Sequence, residues 1–299
     1  MKIEDLIKKL ETEIQSTQSG LEQAESLSRL KEIAKVYRGD DEIVDFESIV
    51  ERIKNEKEEP RIMSGWPGLD GLLRGFRSQQ LIVVSAATKS GKTSFLMDLT
   101  TKIADAHPLW FPFEESAEEL IRKYIERDEV PPHAYTPRQM SGNALNWIET
   151  KIVESIAKYD SRVAFIDHLD FVVPFTADSH ALRVGQAMRE LKGLAKKWNI
   201  VIFVVCHLVK TKMNEEPTLE DLRGSSAIAQ EADTVLLLWR EMKKEDGHVV
   251  ITDNVNISVQ ANRRFGKTGN IKMVYVNGKF LEKEWSTELD KASREFEDF

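Results

Sequence analysis

The chain has 299 residues, 41% of them hydrophobic and 31% charged, which is the composition of a soluble globular protein with one large domain or two modest ones. It excludes collagen-like, wholly disordered and disulfide-scaffold proteins, and the single cysteine, Cys206, forms neither an internal disulfide nor a thiolate zinc cluster. The longest apolar runs are about a third of the ~20 residues that cross a bilayer, and the N-terminus is charged throughout. We expect a cytoplasmic protein without a membrane partner.

The net charge of −8 is unevenly distributed. Residues 1–60 carry 16 acidic and 10 basic groups, and residues 286–299 carry 5 and 2, so the 225 residues between them are close to neutral, at +1. A near-neutral middle is compatible with a local basic channel for DNA, which the whole-chain charge would hide.

Residues 1–60 have apolar positions at helical spacing, which predicts two amphipathic helices over 1–37 and a third over 43–53. The charged run that ends at Glu59-Pro60 is the expected domain boundary. About 60 residues bury too little surface for a robust core, so these helices are expected either to pack on another part of the protein, such as a neighbouring subunit, or to form a solvated extension.

From residue 81, short apolar runs alternate with helical segments, which predicts an α/β fold with a doubly wound, mainly parallel sheet. Strands are expected at 81–86, 109–113, 163–166, 200–206, 234–239 and 255–260, and helices near 93–106, 116–127, 143–158 and 182–198. The segments 271–276 and 279–281, joined by Asn277-Gly278, predict an antiparallel hairpin. This α/β domain is expected to span residues 61–285 and to be followed by an acidic tail at 286–299.

A phosphate-binding loop is predicted where the first strand ends and the next helix begins. The segment reads Ala86-Ala87-Thr88-Lys89-Ser90-Gly91-Lys92-Thr93-Ser94. Its backbone N–H groups would face the phosphates of ATP or another nucleoside triphosphate, Lys92 would reach the β and γ phosphates, and the Thr93 hydroxyl would bind Mg²⁺. The expected nucleotide-binding residues are Ala87, Thr88, Lys89, Ser90, Gly91, Lys92, Thr93 and Ser94.

Three further polar residues follow predicted strands, so they are expected at the same sheet edge. Asp167 would hold the magnesium through water. Glu114, predicted at the tip of the strand adjacent to the phosphate loop, would deprotonate the attacking water, whereas Glu115 better fits a helix N-terminal acid. His207 would sense the γ-phosphate, although a lone histidine is more often structural.

Taken together, these segments resemble the hexameric replicative helicases of the DnaB type, including the helicase half of phage primase-helicases and the mitochondrial Twinkle helicase. The resemblance covers roughly residues 62–282. It is carried by segments 64–76 (SGWPGLDGLLRGF), 113–116 (FEES), 206–208 (CHL), 221–228 (DLRGSSAI), 230–235 (QEADTV) and 262–269 (NRRFGKTG).

The resemblance implies a RecA-like fold and a hexamer that binds ATP between subunits and moves 5′ to 3′ on single-stranded or forked DNA. It implies that Arg263 is an arginine finger for the neighbouring subunit, and that Arg240 stacks on the nucleotide base, with Tyr275 a candidate for the other side. The implied DNA-contacting residues are Lys210, Lys212, Arg223, Gly224 and Ser225. Ala261 departs from the family, which usually has a lysine there.

The implied setting is phage or plasmid replication in the cytoplasm of a bacterial or phage-infected cell, with primase, polymerase or loader as separate proteins. One alternative is a RecA-like recombinase, mediator or regulatory ATPase that binds DNA without unwinding it. Another is an inactive ring scaffold, against which intact Lys92, Thr93, Glu114 and Asp167 argue.

Overall fold

The computed structural model describes residues 43–55, 60–87, 90–140, 142, 144–173, 179–208, 215–222, 225–245 and 248–283. The chain divides into two compact units, residues 1–58 and 59–299. The expected helices over 1–37 and the acidic tail lie outside the described residues. No helix among the described residues is both long and apolar enough to cross a membrane.

The first unit contributes one described helix, α1 (Phe46–Asn55), as the spacing over 43–53 predicted. Asp45 begins it: its carboxylate accepts the Ser48 N–H at 2.7 Å, which satisfies one of the free donors of the first turn. The helix is amphipathic but its apolar side chains are uncovered, with Phe46 85% and Ile53 62% exposed.

The second unit is built on a mixed sheet. Its described strands are β1 (Leu81–Ala86), β2 (Leu109–Pro112), β3 (Val163–Asp167), β4 (Val201–His207), β5 (Thr234–Glu245), β6 (His248–Asn262), β7 (Gly269–Val276) and β8 (Lys279–Glu282). They lie in the order β2-β3-β4-β1-β5-β6-β7-β8, with β1 to β5 parallel and β6 to β8 antiparallel. The predicted doubly wound, mainly parallel sheet with a C-terminal hairpin is therefore confirmed.

Helices cover the sheet. The described helices of this unit are α2 (Pro67–Leu73), α3 (Lys92–Lys102), α4 (Ala117–Glu126), α5 (Leu145–Tyr159), α6 (His180–Lys197) and α7 (Ser225–Glu231). The structure confirms the four helices expected from periodicity, α3 to α6. Helices α2 and α7 were not predicted, because each has only seven residues and so shows too little periodicity.

The parallel strands have uninterrupted runs of apolar residues because both faces of the sheet are covered. Along β1, Ile82 and Val84 belong to the core on one face, whereas Leu81 and Val83 belong to the core on the other. Side chains alternate along a strand, so a strand packed on both sides is apolar at every position.

Strands β5 and β6 extend beyond their predicted ends at residues 239 and 255, and pair as a long antiparallel ladder that reaches Glu245 opposite His248. The outer part of this ladder leaves the core, and its side chains, such as Val250 at 40% exposed, face solvent. The predicted strands end where the apolar runs end, because those runs mark buried positions. Backbone pairing between β5 and β6 continues beyond the buried part.

Asp233 anchors the edge of the sheet opposite the carboxyl ends of the parallel strands. Its carboxylate accepts the Leu81 N–H at 2.7 Å and forms an ion pair with Lys192 of α6, which is only 18% exposed. We expect Asp233→Ala to lower the free energy of unfolding by about 2 kcal/mol, because two partly buried donors lose their acceptor.

Urea denaturation tests this prediction. Glu154→Ala is the matched control, since it removes an exposed carboxylate that also pairs with lysines, and its loss should lower the free energy of unfolding far less than Asp233→Ala does. Equal losses in the two variants would contradict a structural role for Asp233.

Candidate nucleotide-binding site

The phosphate loop connects β1 to α3. Gly91 caps the helix with a φ of 92°, a left-handed conformation that favours glycine, and the Ser90 N–H donates to the Ala87 carbonyl at 3.1 Å. The turn directs the first N–H groups of α3 toward the carboxyl edge of the sheet, where an anion is favoured. Of the predicted loop residues, Thr88 and Lys89 lie outside the described residues.

Lys92, the first residue of α3, is folded back onto the loop. Its ammonium donates to the Ala86 carbonyl at 3.2 Å, and the residue is 8% exposed. Burial lowers the pKa of Lys92, and the carboxylates of Asp167 and Glu114 oppose this shift. The side chain is thus held by weak carbonyl contacts that a phosphate oxygen can replace.

Thr93 and Asp167 are in direct contact at the carboxyl edge. The Thr93 hydroxyl donates to Asp167 Oδ2 at 2.8 Å. Asp167 is 2% exposed and its Oδ1 has no hydrogen-bond partner. Burial raises the pKa of Asp167 to about 6, and the charges of Glu114 and Glu115 add to the shift, whereas the Thr93 hydroxyl opposes it. A buried carboxylate with an unused oxygen fits a hydrated dication, which would replace the missing partner and charge.

Glu114 is brought to Asp167 by the backbone. The N–H groups of Phe113 and Glu114 both donate to the Asp167 carbonyl, at 2.7 and 3.1 Å, so β2 ends beside the end of β3. The prediction that Glu114 follows the strand adjacent to the phosphate loop was wrong, because β3 and β4 lie between β2 and β1. Chain order does not fix spatial order in a doubly wound sheet.

Glu114, Thr93 and Asp167 line one cavity of about 580 Å³. Its other lining residues are Glu115, Glu119, Arg122, Lys123 and Glu126. Ser116 begins α4 with a reciprocal capping box to Glu119, which fixes the turn that carries Glu114. Glu115 pairs with Lys123, whereas Glu114 is exposed to the cavity, so Glu114 is the carboxylate available to a water there.

His207 ends β4 beside the phosphate loop, since it pairs with Ala86. A second histidine, which the sequence analysis missed, lies against it: the rings of His168 and His207 are 4.3 Å apart. One atom that could bind a metal ion, from each of Glu114, His168 and His207, lies within 4.8 Å of the other two. Burial lowers the pKa of His168, and His207 adds to this shift.

A second cavity of about 620 Å³ adjoins α3. It is lined by Thr93, Ser94, Met97, Lys123, Glu126, Arg127, Tyr275, Asn277 and Gly278. The Arg127 guanidinium donates to Ser94 Oγ at 2.9 Å and to the Gly278 carbonyl at 3.2 Å. Arg127 was missed by the sequence analysis because it follows the end of α4 and belongs to no motif.

Arg240 lies over the ring of Tyr275, with its guanidinium carbon 5.3 Å from the ring centroid. It also donates to the Thr252 carbonyl and to Asp253, so its position is fixed by the β5–β6 ladder. The two side chains predicted to flank a base therefore contact each other here, and a base between them would require them to separate.

Arg263 lies at the edge of the sheet where the parallel strands begin, opposite the edge that carries the phosphate loop. It follows Asn262, which pairs with Thr234 at the start of β5, and Thr234 in turn lies beside Ile82 rather than Ala86. Ile82 and Ala86 are four residues apart, so the level of Arg263 and the phosphate loop are separated by about 13 Å along the strands. The Arg263 guanidinium donates to the Ala229 and Gln230 carbonyls at the end of α7, so it does not approach the phosphate loop of its own chain.

The predicted DNA-contacting residues Lys210, Lys212, Arg223 and Gly224 lie outside the described residues, and Ser225 is described only as the first residue of α7. Leu208 and Leu222, which flank Lys210 and Lys212 in sequence, form an antiparallel bridge. Before Leu222 the chain is held against the sheet, since the Glu216 carboxylate accepts from Ser258 Oγ at 2.7 Å and from Asn270 at 2.9 Å.

The sequence matches the DnaB-like helicase C terminal domain family over residues 61–143 and 135–281. A probable replicative DNA helicase of Trieres chinensis is 25% identical over 277 residues, covering 77% of this chain and 59% of the relative. The replicative DNA helicase DnaB of Mycoplasma pneumoniae is 27% identical, covering 80% and 57%, and DnaC of Bacillus subtilis is 23% identical, covering 91% and 66%. The chain thus spans about 60% of the length of these relatives.

Two solved structures share the fold. One is a DnaB-like replicative helicase described with its interactions with primase, with a TM-score of 0.68 and 19% identity over 94% of this chain and 75% of that chain. The other is an isolated ATPase domain, with a TM-score of 0.65 and 21% identity over 80% of this chain and 97% of that chain. With a family match that spans most of residues 61–281, the chain belongs to the DnaB-like helicase C terminal domain family.

Proposed function

We propose that this chain is the motor of an ATP-dependent, ring-forming replicative DNA helicase that moves 5′ to 3′ on single-stranded DNA and unwinds forked duplexes. The observation that carries the proposal is the convergence of Lys92, Thr93, Asp167, Glu114 and His207 at one edge of a RecA-like sheet. The family match and the helicase relatives support the same activity.

In this proposal the chain binds the triphosphate with the phosphate loop and the N-terminus of α3, and Lys92 leaves the Ala86 carbonyl for the β and γ phosphates. Glu114, exposed in the cavity beside Asp167, accepts a proton from the attacking water. His207 donates to the γ-phosphate, and Arg127 and Ser94 border the adjoining space for the rest of the nucleotide.

Thr93 and Asp167 would hold Mg²⁺, the Thr93 hydroxyl directly and the carboxylate through water. The unpartnered Oδ1 of Asp167 is the feature that fits the ion. When bound, Mg²⁺ neutralises charge on the β and γ phosphate oxygens.

A ring is supported by the position of Arg263. An arginine that stabilises charge on a transferring phosphoryl group must reach it, and Arg263 lies at the opposite edge of its own sheet. A head-to-tail neighbour would bring the two edges together, and repeated contacts of that kind form a ring when the rotation between neighbours closes. A hexamer, separate primase, polymerase or loader proteins, and phage or plasmid replication in the bacterial cytoplasm belong to the same proposal.

DNA would pass the region from Leu208 to Ser225, where Lys210, Lys212, Arg223 and the backbone of Gly224 and Ser225 would contact phosphates. Because this segment begins directly after His207, movement at the γ-phosphate would be transmitted to the DNA-contacting region. Backbone contacts suit a motor that reads no sequence.

The test is strand separation of forked DNA with ATP and Mg²⁺, comparing substrates with only a 5′ tail or only a 3′ tail. We expect unwinding with the 5′ tail and none with the 3′ tail. Lys92→Ala is the negative control. Its unwinding activity should fall below detection because the contact between Lys92 and the phosphates is lost. Ser48→Ala, on α1, is a control that leaves the site untouched.

DNA-stimulated hydrolysis without unwinding of either substrate would contradict the helicase assignment and favour the alternative, a RecA-like recombinase, mediator or regulatory ATPase. The same core supports both activities, so the nucleotide site alone does not distinguish them.

A further inference from the structure

His168 is a buried polar residue beside the proposed reaction centre that has no role in the function proposed above. It directly follows Asp167 and is 8% exposed, whereas His207 is half-buried and Glu114 is exposed. Exposure thus increases from His168 outward. Of the three residues, Glu114 lines the cavity of about 580 Å³, and His207 is the more accessible of the two rings.

The ring of His168 is held from two sides. On one side it meets the His207 ring at 4.3 Å and 69°, an edge-to-face contact. On the other, its Nδ1 accepts the Asp170 N–H at 3.3 Å, within the 3-10 turn Leu169–Phe171. A neutral imidazole that accepts at Nδ1 carries its proton on Nε2, so this backbone bond selects one tautomer.

We propose that His168 is a positioning residue that fixes the orientation of the His207 ring. The proposal rests on the proposed function, because it takes His207 as the group that faces the γ-phosphate. His168 acts through His207 and does not touch the nucleotide.

The alternative is that His168 only fills space. An aromatic ring without nitrogens fills the same space but does not accept the Asp170 N–H, so His168→Phe separates packing from positioning. His168→Asn keeps a polar side chain with an oxygen that can accept this N–H. If His168 positions His207, the asparagine variant should retain more activity than the phenylalanine variant, although phenylalanine is closer in volume.

The experiment is a double-mutant cycle on steady-state ATP hydrolysis without DNA, using His168→Phe, His207→Asn and the double variant. We expect His168→Phe to lower kcat roughly 10- to 100-fold with KM for ATP changed less than about threefold, because a displaced His207 acts on the chemical step. The double variant should be no slower than His207→Asn alone, since residues that act as one unit are not additive.

A matched control is His133→Asn, an exposed histidine with a φ of 58°, which asparagine also tolerates. It should leave kcat unchanged. Thermal unfolding of each variant checks the fold. If His168→Phe unfolds, His168→Leu replaces it in the same cycle, since leucine does not accept the Asp170 N–H either. Multiplicative losses in the double variant, or wild-type kcat in His168→Phe, would overturn the proposal.

If the wild-type protein shows no stimulation by DNA, the helicase proposal fails, but the cycle on basal hydrolysis still decides whether His168 positions His207.

Discussion

Replacing Asp167 by asparagine is expected to stabilise the nucleotide-free protein at pH 7.5 and to lower ATP hydrolysis by about 100-fold or more. Both effects come from one feature, a carboxylate that is 2% exposed and has an unpartnered oxygen. Asparagine has nearly the same shape, and its oxygen still accepts the Thr93 hydroxyl. What it removes is the buried charge that would face the magnesium ion.

The stability effect has a definite dependence on pH. The pKa of Asp167 is raised from an ordinary value of 3.8 to about 6 in the folded protein, so the folded state binds this proton more tightly than the unfolded chain does. The ionised carboxylate therefore costs stability above pH 6, and the cost disappears as pH falls toward 4. Its size is roughly 2 to 3 kcal/mol.

Urea denaturation of the wild type and Asp167→Asn at pH 7.5 and pH 4 measures this difference. The variant should be the more stable protein at pH 7.5 and indistinguishable from the wild type at pH 4. Greater stability of the wild type at pH 7.5 would mean that another group already compensates the charge of Asp167. The assignment of Asp167 as a magnesium-binding carboxylate would then lose its support. Glu154→Gln, at an exposed carboxylate, is the control.

The parallel part of the sheet was predictable because its strands are buried on both faces. Such strands have continuous apolar runs, and polar residues directly after them must lie at the carboxyl edge. This reasoning identified Asp167, Glu114 and His207 without knowledge of the strand order. It gave the wrong neighbour for β2, because any order of parallel strands joined by helices brings their carboxyl ends to the same edge.

His168 and Arg127 were missed for a different reason: each is defined by contacts between segments distant in sequence. His168 meets a ring at residue 207, and Arg127 meets the turn at residue 278. A histidine after a strand and an arginine after a helix are common at the protein surface, so neither has a local signal. The outer part of the β5–β6 ladder escaped prediction because backbone pairing there is not accompanied by burial.

Replacing Glu114 by glutamine is expected to reduce ATP hydrolysis about 1,000-fold while leaving nucleotide affinity within about threefold. The amide keeps the shape of an exposed side chain but does not accept a proton from water. Glu115→Gln is the matched control: Glu115 pairs with Lys123, so its loss should change kcat less than about threefold. Single-turnover hydrolysis and binding of a fluorescent nucleotide measure both quantities. A Glu114→Gln variant with wild-type hydrolysis would exclude Glu114 as the base.

The same variant tests whether the site is shared between subunits. Arg263→Ala subunits retain Glu114 and the phosphate loop, and Glu114→Gln subunits retain Arg263, so each homogeneous protein should be inactive. If a neighbour supplies Arg263, random mixing at 1:1 restores about a quarter of the interfaces, those where an Arg263→Ala site faces a Glu114→Gln neighbour. Hydrolysis should then rise from nearly zero to about a quarter of the wild-type rate. Without recovery in rings that exchange subunits, each site would have to be completed within one chain, which the offset of about 13 Å along the strands opposes.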